Sequence, residues 1–159
     1  MNPKVMQWIT PAKRWAKQTG VPAALILAVI QQESGGNPKA VRYEAGYEQR
    51  YSNRCNEIAR SAHLKTAEVA TSYGRMQLML PLAWGYLSAA DKLSPIQALY
   101  DPDKNIRYGA AHLAALIKGR PITAAVIRDV AGKYNGAGSD SAYAHNVCAL
   151  WRKYEEAIK

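Results

Sequence analysis

The sequence lacks the long apolar runs that mark membrane-spanning or exported chains. No run approaches the ~20 residues that a transmembrane helix needs. The N-terminal segment MNPKVMQWITPAKRW contains no continuous apolar core of the kind found in signal peptides. The chain has 159 residues, of which 48% are apolar, so it is neither long enough to favour several domains nor polar enough to favour disorder. We therefore expect one globular domain over residues 1–159.

Cysteine and histidine are scarce, which limits metal and redox chemistry. Cys55 and Cys148 form no metal-binding or redox motif, and we expect two free, partly buried thiols, with one disulfide as the alternative. The three histidines, His63, His112 and His145, lie far apart in the sequence, which argues against a zinc site. The sequence predicts no metal and no cofactor.

Acidic residues are also few. The chain has 12 of them against 21 lysines and arginines, which gives a net charge of +9. Such a charge favours a polyanionic partner, namely nucleic acid, a membrane surface or the anionic bacterial envelope. The basic residues are scattered, whereas a nucleic-acid-binding protein more often clusters them on one helix. We therefore expect no nucleic-acid partner.

Helical patterns separated by short breaks follow one another along the chain and predict a mostly α domain. Residues 38–70 show a weaker pattern, which leaves a loop, a small hairpin or short helices open. The first predicted helix runs from Pro11, capped by Thr10, to about Gln18, and the second runs from Pro22 to Gly35. Further helices are predicted to begin at Pro81, Pro95 and Pro102. The last two run from Pro121 or Thr123 to about Asn135 and from Ser139 or Asp140 towards the C-terminus.

Glu33 lies at the end of an apolar helical face. It follows Ile26, Val29 and Ile30 at spacings typical of one side of a helix. Burial and the carbonyl groups of the last helical turn both disfavour a carboxylate anion, so we predict a raised pKa for Glu33. A carboxylic acid that stays neutral is what general acid catalysis requires. The alternative is a glutamate at the rim that is paired with an arginine.

Five segments occur in an order that is typical of one known family: QQESGGNP at 31–38, SYGRMQLM at 72–79, DPDKNIRYGAAHLAALI at 101–117, AGKYNGAG at 131–138 and YAHNV at 143–147. Together they resemble the motifs of the soluble lytic transglycosylase family, whose domain has a goose-type lysozyme-like fold. The resemblance implies a mostly α, α+β lysozyme-like domain with a substrate cleft, and it leaves open a small β-hairpin after the helix that carries Glu33. Arg75 and His112 depart from the family pattern, which usually has leucine and an aromatic residue there.

The resemblance implies that Glu33 is the catalytic acid of a peptidoglycan-cleaving enzyme. Glu33 would protonate the oxygen between N-acetylmuramic acid and N-acetylglucosamine, with assistance from the substrate's N-acetyl group. The resulting carboxylate would then remove the proton of the sugar 6-hydroxyl and close a 1,6-anhydro ring without water. We expect glycan strands of peptidoglycan and the anionic bacterial envelope as partners, and a monomer.

Further residues are expected to bind substrate. The alternative to substrate binding is helix capping for Ser34. For Met76, Tyr134 and Tyr143 the alternative is packing in the core. Asn105 and Gly109 are expected to be structural. The predicted substrate-binding residues are Ser34, Tyr43, Glu44, Tyr47, Gly74, Met76, Gln77, Tyr134 and Tyr143.

Glu44 leaves a hydrolytic alternative open. If it faced Glu33 across the cleft it could position a water molecule and make the protein a lysozyme. Otherwise it pairs with Arg42, Arg50 or Arg54 on a loop, which we favour. A wall-binding module without activity and a basic helical nucleic-acid-binding protein are further alternatives. Because no leader is seen, we expect release or packaging by a bacteriophage, as an endolysin or a virion-associated protein.

Overall fold

The computed structural model describes residues 1–159 and contains twelve helices and one small sheet. No helix is both long enough and apolar enough to cross a membrane. The helices are α1 Pro3–Met6, α2 Ile9–Thr19, α3 Ala23–Ser34, α4 Ala45–Arg50, α5 Ser52–Ala62, α6 Thr66–Val69, α7 Leu80–Ala83, α8 Ala89–Leu93, α9 Pro95–Tyr100, α10 Pro102–Ile117, α11 Ala124–Asn135 and α12 Ala142–Ala157. The strands are β1 Val41–Tyr43 and β2 Thr71–Tyr73.

Helix α3 is the central element of the core. Seven consecutive residues, Ala24–Ile30, are buried. A helix that is apolar on all sides must be surrounded by other elements, and α3 packs against α12, α2, α1 and α10. Glu33 therefore projects from the end of the most enclosed helix in the protein. The prediction of a mostly α, lysozyme-like domain is confirmed.

The two strands pair antiparallel, with Val41 opposite Tyr73 and Arg42 opposite Ser72. The sequence left open a small hairpin after the Glu33 helix. The first strand does follow that helix, but helices α4, α5 and α6, and not a tight turn, connect the two strands. Because side chains alternate between the two faces of a strand, Arg42 and Ser72 point to the same face. Both residues line the same pocket as Glu33.

Helix caps explain where most predicted boundaries fall. Pro95 and Pro102 are the first residues of α9 and α10, and the Asp101 carboxylate accepts hydrogen bonds from two backbone N–H groups of α10. Helix α12 begins at Ala142, slightly later than predicted, because the Ser141 hydroxyl caps it. Helix α2 begins one or two residues earlier than predicted.

Cys55 and Cys148 are free and buried, so the expectation of two unpaired thiols is confirmed.

Candidate active site

The Glu33 carboxyl group lies in a partly buried position at the last turn of α3, which ends at Gly35 in the left-handed conformation. The hydroxyl of Tyr143, in the first turn of α12, donates a hydrogen bond of 2.5 Å to Glu33 Oε1. Burial raises the pKa of Glu33, the hydrogen bond from Tyr143 and the charge of Arg42 oppose this, and the charge of Glu44 adds to it. The net direction is upward, as predicted.

A pocket of about 180 Å³ opens beside this carboxyl group. Four of the residues that the sequence singled out in addition to Glu33 lie on its walls: Glu44, Tyr47, Gln77 and Tyr134. The complete lining is Glu33, Arg42, Glu44, Tyr47, Ser72, Gln77, Leu78, Met79, Leu82, Tyr134 and Asn135.

Glu44 lies in the pocket lining and in an ion pair with an arginine at the same time. Its carboxylate lines the pocket and also accepts a hydrogen bond of 2.5 Å from Arg42 Nε. The ion pair stands at the mouth of the pocket, because the Arg42 side chain is 62% exposed and that of Glu44 is 29% exposed. Arg42 therefore neutralises Glu44 and lowers the negative charge that Glu33 experiences.

Gln77 reaches the pocket from a tight loop that follows β2. Gly74 has a φ of 74°, and a Cβ there would lie 2.5 Å from Asn105 Nδ2, so only glycine fits. Gln77 itself has a φ of 47°, which is rare for a residue with a side chain. Its side-chain amide donates to the carbonyl of Gly74 at 2.9 Å. The loop thus holds the Gln77 amide in one orientation beside Glu33.

Asn105 of α10 holds this loop in place and is completely buried. Its Oδ1 accepts from the Met76 backbone N–H at 2.9 Å, and its Nδ2 donates to the carbonyls of Tyr73 at 3.0 Å and Leu99 at 2.8 Å. The Asn105 side chain thereby pairs the Met76 N–H and the Leu99 carbonyl, and it is a second donor to the Tyr73 carbonyl, which also accepts from the Leu78 N–H at 3.1 Å.

Two tyrosines link the last two helices to the site. The Tyr134 hydroxyl of α11 donates to the carbonyl of Met76 at 2.7 Å, and its ring lies 5.5 Å from that of His112. Burial, followed by the charge of Glu33, raises the pKa of Tyr134, and the same two causes raise that of Tyr143. Both phenols therefore stay protonated and act as hydrogen-bond donors.

Five other predicted residues do not line the pocket: Tyr143 reaches the site only through its hydrogen bond to Glu33, and Ser34, Tyr43, Gly74 and Met76 have other roles. Ser34 caps its own helix, because its hydroxyl donates to the Ile30 carbonyl and accepts from the Gly36 N–H. Tyr43 points to solvent and donates to the Glu48 carboxylate. Met76 is completely buried and packs against Gly109, while Gly74 contributes only its backbone conformation.

Six residues of the pocket lining were not predicted from the sequence: Arg42, Ser72, Leu78, Met79, Leu82 and Asn135. A signal for Arg42 was present, because it is the polar middle residue of the short segment VRY. Its partner strand could not be identified from the sequence.

Comparison with models of known families matches residues 10–146 to the transglycosylase SLT domain. A search of curated proteins returned no match. The matched region covers most of the chain and includes Glu33, Gln77, Tyr134 and Tyr143. The chain therefore belongs to the transglycosylase SLT domain family, whose members are lytic transglycosylases that act on peptidoglycan.

Proposed function

We propose that this protein cleaves the β-1,4 bond between N-acetylmuramic acid and N-acetylglucosamine in peptidoglycan and leaves a 1,6-anhydro end. The observation that carries the proposal is the position of the Glu33 carboxyl group. It lies on a pocket wall, its pKa is raised by burial, and a phenol donates a hydrogen bond to it. One carboxyl group in these surroundings can give up a proton and later take one back.

In the first step Glu33 donates its proton to the glycosidic oxygen as the bond to the sugar C1 breaks. The leaving sugar departs with the pair of electrons as a neutral alcohol, and positive charge develops at C1. The substrate's N-acetyl oxygen stabilises this charge. Gln77 lies on the same pocket wall, and its side-chain oxygen is free to accept from the acetamide N–H while its NH₂ group donates to Gly74.

In the second step the Glu33 carboxylate removes the proton of the 6-hydroxyl, whose oxygen attacks C1 and closes the anhydro ring. Between the two steps Glu33 is an anion. The hydrogen bond from Tyr143 and the positive charge of Arg42 stabilise this anion. Glu33 returns to its neutral state at the end, so the cycle balances without a second catalytic carboxylate.

A hydrolytic reaction is the second candidate, because Glu33 and Glu44 line the same pocket. A general base at Glu44 would have to activate water in place of the 6-hydroxyl. The Arg42 ion pair argues against this role, since the guanidinium already donates to a Glu44 carboxylate oxygen that would have to accept the proton of the water molecule.

Mass spectrometry of the muropeptides released from purified peptidoglycan tests the proposal. We expect anhydro ends, each one water lighter than a hydrolysed end. Glu44→Gln should still yield anhydro ends, because the proposed cycle uses only Glu33. Reducing ends as the main product, and their disappearance in Glu44→Gln, would establish the hydrolytic alternative instead.

We also propose that the protein acts at the bacterial wall as a monomer and that its net charge of +9 draws it to the anionic envelope. We propose likewise that a bacteriophage releases or packages the protein.

A further inference from the structure

Arg75 is a completely buried cation without a hydrogen-bond partner. Its side chain is 0% exposed, and none of the three guanidinium nitrogens, Nε, Nη1 and Nη2, is paired. The guanidinium carbon lies 3.6 Å from the ring centroid of Trp8, so one face is stacked while the N–H edges remain unused. Burial lowers the pKa of Arg75 to about 10, although the charge of Asp101 opposes this. A guanidinium carries five donors, and burying it unpaired is strongly unfavourable.

A separate depression of about 610 Å³ borders this guanidinium. We call it the Arg75 depression. It contains two cationic side chains and no carboxylate, and its other walls are rings. Its lining is Trp8, Pro38, Lys39, Arg75, Tyr100 and Pro102. None of these residues lines the pocket beside Glu33. The combination suits a ligand that has a negative end and an apolar body.

Groups of the chain itself do not satisfy the guanidinium. Asp101 is the acidic residue whose charge acts on Arg75, but its carboxylate already accepts from the backbone N–H groups of Asp103 and Lys104. The guanidinium N–H groups therefore have no partner within the chain, and their planar arrangement suits a bidentate acceptor.

The Arg75 depression and the active-site pocket border the same loop and strand. Arg75 is two residues before Gln77, and Lys39 is three residues before Arg42. The Gly74 N–H donates to the Ala40 carbonyl at 2.8 Å, which joins the two segments. A ligand bound at Arg75 would therefore contact the backbone that positions Gln77 and Arg42.

We propose that the Arg75 depression binds a carboxylate attached to a small apolar body, with the Arg75 guanidinium as a bidentate donor and Lys39 as a second positive charge. Trp8 and Tyr100 pack against the apolar part. The ligand chemistry is that of a peptide with a free carboxylate, and its source is either the peptide stems of peptidoglycan or a free organic acid. If the ligand is a peptide stem, the inference rests on the proposed function, because peptidoglycan must then be the substrate. If the ligand is a free organic acid, the inference does not depend on the proposed function. Because the guanidinium nitrogens are buried, the side chains around them must shift for the ligand to reach them, and Lys39 remains beside the ligand as the second charge.

The test is a titration of the full-length, ¹⁵N-labelled protein, followed through the Trp8 indole N–H signal. The probe is acetyl-alanyl-alanine with a free carboxylate, its C-terminal amide is the matched control, and acetate forms a third arm. We expect a saturable shift with the free acid, with Kd on the order of 1 mM, and at least roughly tenfold weaker binding of the amide. If acetate binds as tightly as the peptide, the site is a free-acid site. If the peptide binds more tightly, wall stems are the source.

Arg75→Leu should abolish the saturable shift, whereas Arg152→Leu on the exposed side of α12 should leave it unchanged. Should Arg75→Leu fail to fold, Lys39→Gln gives the same test, with a several-fold weaker affinity expected. Three results would overturn the proposal. They are equal shifts of the Trp8 signal with the acid and the amide, an unchanged shift in Arg75→Leu, and the lack of any saturable shift. Binding is measured without turnover, so Glu33→Gln should keep it, and a failure of the proposed reaction would leave this result unaffected.

Discussion

Glu33→Gln is expected to abolish the clearing of a bacterial wall suspension, with the cleavage rate falling by roughly 10²- to 10⁴-fold. Glutamine has nearly the same shape, and its side-chain oxygen can still accept the hydrogen bond of 2.5 Å from Tyr143. An amide, however, cannot protonate the glycosidic oxygen, and it cannot later remove the proton of the 6-hydroxyl. Both steps of the proposed cycle are therefore lost through one substitution. The measurement is the initial rate of turbidity loss.

Glu57→Gln is the matched control, because it makes the same chemical change on a side chain that is 63% exposed on α5. It should clear at the parent rate. Cosedimentation with purified walls should show that Glu33→Gln still binds. If Glu33→Gln cleared walls as fast as the parent, the assignment of the acid would be wrong.

Asn105→Ala is expected to lower the free energy of unfolding by about 2–5 kcal/mol. The substitution leaves the Met76 N–H and the Leu99 carbonyl without partners in a completely buried position, and it removes one of the two hydrogen bonds that the Tyr73 carbonyl accepts. Unpaired buried backbone groups are among the most unfavourable consequences of a single substitution. Urea unfolding gives the difference directly, and activity should fall as well because the same loop positions Gln77.

Asn56→Ala, at an exposed position of α5, is the matched control and should change the stability by less than about 0.5 kcal/mol. An Asn105→Ala protein as stable as this control would show that the loop does not depend on the three hydrogen bonds.

Much of the fold could be predicted because its signals are local. Pro95, Pro102 and Thr123 mark helix starts through their own backbone and side-chain chemistry, and the structure places helix starts at or directly after them. The apolar run before Glu33 predicts a buried helix, and burial of that helix is what raises the pKa of Glu33. These inferences need no knowledge of distant segments.

The remaining features depend on segments that meet only in the folded chain. The pairing of β1 with β2 spans three helices, and short strands carry little register information of their own. Ser34 and Tyr143 were both candidate partners of the site. The approach of α12 to α3 decides between them, because it brings the Tyr143 hydroxyl to Glu33 while the Ser34 hydroxyl bonds its own helix.

Arg75 shows a different limit. From the sequence it is only a departure from the family's usual leucine, and its side chain could have pointed to solvent. In the structure the side chain is buried against Trp8, and its three guanidinium nitrogens have no hydrogen-bond partners. Only this burial makes the unpaired nitrogens evidence for a ligand.

A titration of the Glu33 carboxyl carbon by ¹³C NMR in the resting protein measures whether burial keeps this acid protonated. We expect a midpoint above the ordinary value of 4.5, because burial outweighs the stabilisation of the anion by Tyr143 and Arg42. We also expect Tyr143→Phe to move the midpoint further upward, since the phenol stabilises the charged form. Activity that needs protonated Glu33 should then decline as the pH rises through this midpoint. A midpoint at or below 4.5 that does not respond to Tyr143→Phe would contradict the account.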